Sequence, residues 1–137
     1  MTSVVEYEGD LRTVCTHLRS KNGFETDAPV DNNGKGERFS PTDLLATSLA
    51  TCMLTVMGIK AKKMGFDLNG IKVEVEKHMK SEPRRVGAIN LFFHIPENLA
   101  NIDEKTKQIL RHTGNTCPVW LSIHPDIEVS VNWDAWD

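Results

Sequence analysis

The residues of this chain best suited to covalent chemistry are its three cysteines, Cys15, Cys52 and Cys117. Cys117 stands directly before Pro118, where a helical turn is predicted to begin and backbone N–H groups favour a thiolate. Cys52 lies at the centre of a long uncharged segment. It is therefore either a small buried apolar residue or a secluded nucleophile that needs a cation from elsewhere in the fold. Cys15 lies in a predicted strand and is expected to pack, and the odd count predicts one pair and one bystander at most.

Other kinds of chemistry have weaker support. Neither Cys15 with His17 nor His112 with Cys117 has the spacing of zinc ligands, and the sequence contains no CxxC or HExxH motif. No glycine loop has the context of a phosphate-binding motif. We therefore expect no metal and no bound cofactor. Hydrolysis by a cysteine–histidine dyad stays open, because the spacing of the five dispersed histidines does not decide it.

Length and charge limit the possible partners. The chain has 137 residues, which predicts a single domain over residues 1–137 with a real core. Its net charge of -3 provides no global attraction to nucleic acid or to an anionic membrane. The N-terminus lacks the basic and apolar regions of a signal peptide, and the uncharged helical run is shorter than the roughly 20 residues that span a bilayer. A cytoplasmic protein is therefore expected.

The elements that must position the cysteines follow from the hydrophobic pattern. Residues 40–59 predict the start and body of a central helix, with Ser40 as N-cap, Pro41 at the first position and Asp43 as a capping-box acid. This helix is predicted to run to Met64 and to be buried on nearly every side, since it is apolar almost all round. The other predicted elements are three N-terminal strands (4–7, 11–18 and 24–26), a polar loop (27–38), a strand pair (71–78 and 86–95), a helix ended by Gly114 (103–113) and a last strand (127–133). This order predicts an α+β fold with sheet packed on helices.

The order of elements and two cysteine blocks resemble the OsmC/Ohr family of small thiol peroxidases. The first block runs from Ser40-Pro41-Thr42-Asp43 through Leu44-Leu45-Ala46 to Cys52, and the second is Cys117-Pro118-Val119. The resemblance covers essentially the whole chain and is specific, because both blocks occur in order and in the expected elements. It implies an OsmC-like fold, with antiparallel sheets wrapped around a long buried central helix, and an intertwined homodimer with active sites at the interface.

The resemblance also implies a reaction. Cys52 corresponds to the peroxidatic cysteine, which attacks an organic hydroperoxide and becomes a sulfenic acid. Cys117 corresponds to the resolving cysteine, which closes a disulfide that an external dithiol, of the lipoyl type by family precedent, then opens. The family places a glutamate directly after the motif proline, paired with an arginine that stabilises the thiolate.

This chain departs from that pattern at one position. Thr42 stands where the glutamate is expected, and the nearest acid is Asp43, about 100 degrees further around the helix. We take Arg12 as the arginine and Asp43 as its possible acid, with Arg19 and Arg38 as rivals to Arg12. The alternative function is a non-catalytic or weakly active protein of the same fold that senses redox state or binds a small molecule.

Overall fold

The computed structural model describes residues 1–137, which divide into two compact units, Met1–Leu45 and Ala46–Asp137. The first unit contains a three-stranded antiparallel sheet in the order β1-β2-β3. Its strands are β1 (Ser3–Gly9), β2 (Arg12–His17) and β3 (Gly23–Asp27). Strands were therefore predicted at the right places. The predicted single domain stays a prediction.

The loop after β3 is held by its own backbone. The N–H groups of Asn32 and Gly34 both donate to the carbonyl of Pro29, around a 3-10 turn at Val30–Asn32. A Cβ on Gly34 would lie 1.7 Å from the carbonyl oxygen of Ala28, so only glycine fits this close approach. The segment predicted as a polar loop is thus an ordered turn that leads into the central helix.

The central helix, α1 (Pro41–Lys63), begins where the sequence predicted. The Asp43 N–H donates to Ser40 Oγ at 3.1 Å, and the Ser40 N–H donates to Asp43 Oδ2 at 3.0 Å, which is a reciprocal capping box. The helix is long and apolar enough to cross a membrane by length and composition, a test that the core helix of a soluble protein also passes. The sequence predicted a helix too short to cross a bilayer, because that prediction used only the length of its uncharged part.

The second unit packs α1 against a mixed sheet. The strands β4 (Lys72–Lys80) and β5 (Arg85–His94) pair antiparallel, while β6 (Glu128–Asn132) pairs parallel to β5. The expectation of antiparallel sheets was wrong for this pair. A parallel partner needs a long crossover, and here the segment between β5 and β6, which carries α2 (Glu97–Ala100) and α3 (Glu104–Asn115), supplies it.

Two further expectations about the helices are corrected. Gly114 does not end α3, which continues to Asn115. A Cβ on Gly114 would lie 2.9 Å from Met57 Sδ and 3.3 Å from Trp133, so glycine there allows close packing of α3 and does not act as a stop signal. The helix α1 is buried along one side rather than all round: Met53 and Met57 are fully buried, whereas Ile59 is 53% exposed.

The core of the second unit joins α1 and α3 to the sheet. It contains Leu49, Met53 and Met57 from α1, Leu110 from α3 and alternate residues of β5, with Cys117 among them. Trp136 closes one end, where its indole N–H donates to the carbonyl of Leu99 at 2.8 Å. Cys117 is therefore part of the apolar core and not a surface residue.

Candidate active site

The two predicted active-site cysteines meet in the second unit. Cys52 is half-buried at the middle of α1, and Cys117, which is 1% exposed, follows α3. The Cys52 side chain lies close enough to the Cys117 thiol to raise the pKa of that thiol. Two residues far apart in sequence are thus neighbours in the fold, as the formation of a disulfide between them requires. Cys15 lies in the first unit.

The backbone around Cys117 fixes its sulfur. The Cys117 N–H donates to the Gly114 carbonyl at 3.2 Å, and the Cys117 carbonyl accepts from the Leu121 N–H at 3.1 Å. Pro118 begins this single helical turn, as predicted, because a residue without an N–H is tolerated at the first helical position. The Trp120 N–H, in the same turn, donates to Cys117 Sγ at 3.4 Å.

Burial controls the protonation of this thiol. Removal from water raises the pKa of Cys117 above that of an ordinary thiol, and the adjacent Cys52 side chain raises it further. The Trp120 N–H acts in the opposite direction, because it stabilises the thiolate. Burial is the larger effect, so Cys117 rests as a protonated thiol. The turn was predicted correctly, but its N–H groups were expected to favour the Cys117 thiolate. Burial in the core outweighs them and raises the pKa of Cys117.

The arginine chosen from the sequence has a different acid partner from the one expected. Arg12 Nε and Nη2 donate to the two carboxylate oxygens of Asp27 at 2.7 and 2.9 Å. Asp27 is 2% exposed, and the backbone N–H of Glu37 also donates to it, at 3.1 Å. The guanidinium hydrogen bond is the main cause that lowers the pKa of Asp27. Glu25 and Glu37 lie 3.5 Å from the same guanidinium.

Sequence reasoning missed Asp27. The available signal was strand register, since Arg12 and Asp27 are direct partners across β2 and β3. Asp43, the predicted acid, takes part in the capping box of α1. Arg38 contacts Glu25 at 3.7 Å, and Thr42 Oγ1 lies 3.2 Å from Ser40 Oγ. Roles for Arg12 and Asp43 at the cysteine pair stay predictions.

Cys15 occupies a separate apolar environment. It pairs across the sheet with Val5 and Phe24, and these residues line a shallow cavity of about 320 Å³. Thr13 Oγ1 lies 4.0 Å from its sulfur. No group of three or more histidine, cysteine or acidic side chains is arranged to hold a metal ion. The cysteine pair is thus the candidate active site.

Comparison with known proteins gives a consistent result. A family model described as OsmC-like protein matches residues 34–132. A Psychrobacter arcticus 273-4 structure, described as an osmotic stress-induced and detoxification response protein, is 54% identical, with a TM-score of 0.90 over 96% of this chain and 93% of that one. None of the curated proteins compared with the chain matches it.

More distant structures share the fold. The organic hydroperoxide resistance protein OsmC of Legionella pneumophila is 16% identical, with a TM-score of 0.71 over 96% of this chain and 95% of that one. The organic hydroperoxide resistance protein OhrB of Bacillus subtilis is also 16% identical, with a TM-score of 0.65 over 97% of this chain and 98% of that one. At this identity, the likeness concerns the arrangement of helices and strands.

Proposed function

Because the chain belongs to the OsmC-like protein family, we propose that it is a thiol-dependent peroxidase that reduces organic hydroperoxides. The observation that carries the proposal is that the Cys52 side chain lies next to the buried Cys117 thiol in the same unit and raises the pKa of that thiol. Two thiols in contact can become a disulfide with little movement of the backbone. Organic hydroperoxide resistance is named for two of the structural relatives, which supports this substrate class.

The two cysteines take different roles because their surroundings differ. Cys52 is the more accessible sulfur, so its thiolate attacks the outer oxygen of the O–O bond, releases an alcohol after proton uptake and becomes a sulfenic acid. Cys117 loses its proton and attacks the Cys52 sulfur, and the hydroxyl group leaves as water. The product is a Cys52–Cys117 disulfide. An external dithiol, of the lipoyl type by family resemblance, supplies two electrons to restore both thiols.

The charge that favours the Cys52 thiolate is proposed from the family resemblance alone. Arg12 is the proposed cation, and Asp27 provides a buried carboxylate that holds its guanidinium in one orientation. Changing Arg12 to lysine keeps the charge but loses the paired donors. If Arg12 stabilises the thiolate, this change slows Cys52 oxidation more than the same change at Arg19 does. Equal rates in the two variants would remove Arg12 from the mechanism.

A second copy of the chain is the proposed partner for the uncovered apolar residues. Ile59 on α1 is 53% exposed and Leu121 is 74% exposed, so both large apolar side chains are available to a partner. The family resemblance implies a homodimer. Light scattering in solution is expected to give about twice the chain mass of 15.4 kDa. A monomer at micromolar concentration would contradict the proposal.

The enzymatic proposal is tested with the reduced protein and cumene hydroperoxide. One equivalent of peroxide is expected to give a Cys52–Cys117 disulfide, detected by mass spectrometry of peptides, and a dithiol is expected to support turnover. Cys15→Ser is the matched control, since it removes the thiol of the other unit and should leave both results unchanged. Cys117→Ala should instead accumulate a sulfenic acid that dimedone traps. Absence of the disulfide under excess peroxide would reject the two-cysteine mechanism and favour the non-catalytic alternative.

A further inference from the structure

The two sulfurs of the proposed disulfide differ in access. Cys52 is half-buried on α1, whereas Cys117 is 1% exposed. Cys117 belongs to the core cluster of its own unit, which also contains Met53, Leu110 and Trp136. Association with a second chain can bury Cys117 further but cannot expose it. Access to the Cys117 sulfur is therefore closed in the folded protein in any state of assembly.

Hydrogen bonds also hold Cys117 in place. Its N–H is bonded to Gly114, its carbonyl to Leu121 and its sulfur to the Trp120 N–H. Turning the sulfur outward would break the bond to Trp120 and leave a gap in a packed core. Cys52, in contrast, lies on a regular helix with part of its side chain open to solvent. The difference in access is thus fixed by the fold.

We infer that the regenerating dithiol attacks the sulfur of Cys52, so that the mixed disulfide forms at Cys52 rather than at Cys117. This inference rests on the proposed function. A thiolate of the reductant forms a bond to Cys52 Sγ, the Cys52–Cys117 bond breaks, and its electron pair stays on Cys117, which then takes up a proton. The second thiol of the reductant then attacks the first and releases Cys52 as a thiolate. The dithiol leaves as a cyclic disulfide, having supplied two electrons.

The raised pKa of Cys117 opposes attack on the Cys52 sulfur. Burial raises the pKa of Cys117, and a thiol of higher pKa leaves more slowly, which by itself favours attack on the Cys117 sulfur. The Trp120 N–H reduces that disadvantage, because it donates to the sulfur on which negative charge develops. Access decides the outcome, since an attacking sulfur must lie in line with the S–S bond and this line ends in packed core at Cys117. Cys52 is half-buried, so part of it remains open to solvent.

The test locates the mixed disulfide by mass spectrometry. The Cys15→Ser protein is oxidised to the Cys52–Cys117 disulfide, mixed briefly with excess cysteamine, quenched in acid, unfolded and alkylated. Cysteamine is a monothiol, so it has no second thiol in the same molecule to displace it, and the acid quench traps the adduct before another cysteamine removes it. The expected result is cysteamine on Cys52 and the alkyl group on Cys117, in at least tenfold excess over the reverse. Cysteamine on Cys117, or equal amounts on both, overturns the inference.

The choice of oxidant makes failure of this inference distinguishable from failure of the proposed function. If hydroperoxide forms no disulfide, the peroxidase proposal fails, but diamide can close the same bond without a peroxide and the cysteamine experiment proceeds unchanged. As a second measurement, the unfolded disulfide protein is treated with cysteamine in urea. There the core is lost, so the adduct is expected on both cysteines. A strong preference for Cys52 in urea would show that access in the fold is not its cause.

Discussion

The rate of disulfide closure between Cys52 and Cys117 should depend steeply on pH. Burial raises the pKa of the Cys117 thiol above its ordinary value. Only the thiolate attacks a sulfur atom, and a thiol with a pKa at or above about 8.5 is at most about 3% ionised near pH 7. Below the pKa, the ionised fraction rises about tenfold per pH unit. Closure is therefore expected to be about a hundred times faster near pH 8 than near pH 6.

The assay separates closure from the peroxide step. Cys52 is first oxidised by one equivalent of cumene hydroperoxide at about pH 6, where slow closure lets the sulfenic acid accumulate. The solution is then brought to each final pH, stopped with acid at intervals and alkylated after unfolding. Mass spectrometry gives the fraction of disulfide. The Cys117→Ala variant should form none at any pH, which controls for other routes of sulfenic acid loss.

Two outcomes would refute this reasoning. A closure rate that stays constant from about pH 6 to 8 would mean that ionisation of Cys117 does not limit the step. A plateau that begins below about pH 8 would mean that the Trp120 N–H outweighs burial and brings the pKa of Cys117 below that of an ordinary thiol.

Three further changes test the framework around the site. Ser40→Ala should lower the free energy of unfolding by about 1 kcal/mol in urea, because the Asp43 N–H loses its cap; an unchanged midpoint would contradict this. Trp136→Phe should cost about 1–3 kcal/mol by the same measurement, since the Leu99 carbonyl is left without its buried donor, and a loss well under this range would mean that water replaces the donor. The lowered pKa of Asp27 gives stability that is present above the ordinary aspartate range and lost as pH falls through the folded-state pKa. Asp27→Asn should therefore weaken the dependence of melting temperature on pH between about 5 and 3, and an unaltered acid slope would contradict the assignment.

Local patterns predicted much of the fold. The alternation of β4 and the capping residues before α1 each depend on neighbours in sequence, and both were confirmed. The parallel pairing of β6 could not be obtained this way. A strand has the same alternation in either direction, and its orientation is decided by the crossover through α3 and by packing. Gly114 shows the same limit, since its contacts come from Met57 and Trp133.

The site was predicted by family resemblance more than by physics. Considered alone, Cys52 was either a small buried apolar residue or a secluded nucleophile, and only its motif together with that of Cys117 indicated a reactive pair. Contact between the two side chains depends on how α1 lies against the turn after α3, which no periodicity encodes. Asp27 was overlooked because its importance lies in its register opposite Arg12. Long-range pairing, rather than residue type, was the missing information in both cases.

The positions of Cys52 and Cys117 along the chain give the proposed disulfide a mechanical consequence. Joining them closes a loop of about 65 residues. The disulfide lowers the conformational entropy of the unfolded chain and so raises the free energy of unfolding by about 4 kcal/mol. The loop contains β4, β5 and α3, and so most of the second unit. Each oxidation would thus make the unit harder to unfold, and each reduction would reverse this effect. The protein would be hardest to unfold while it carries the oxidation that a peroxide has left in it.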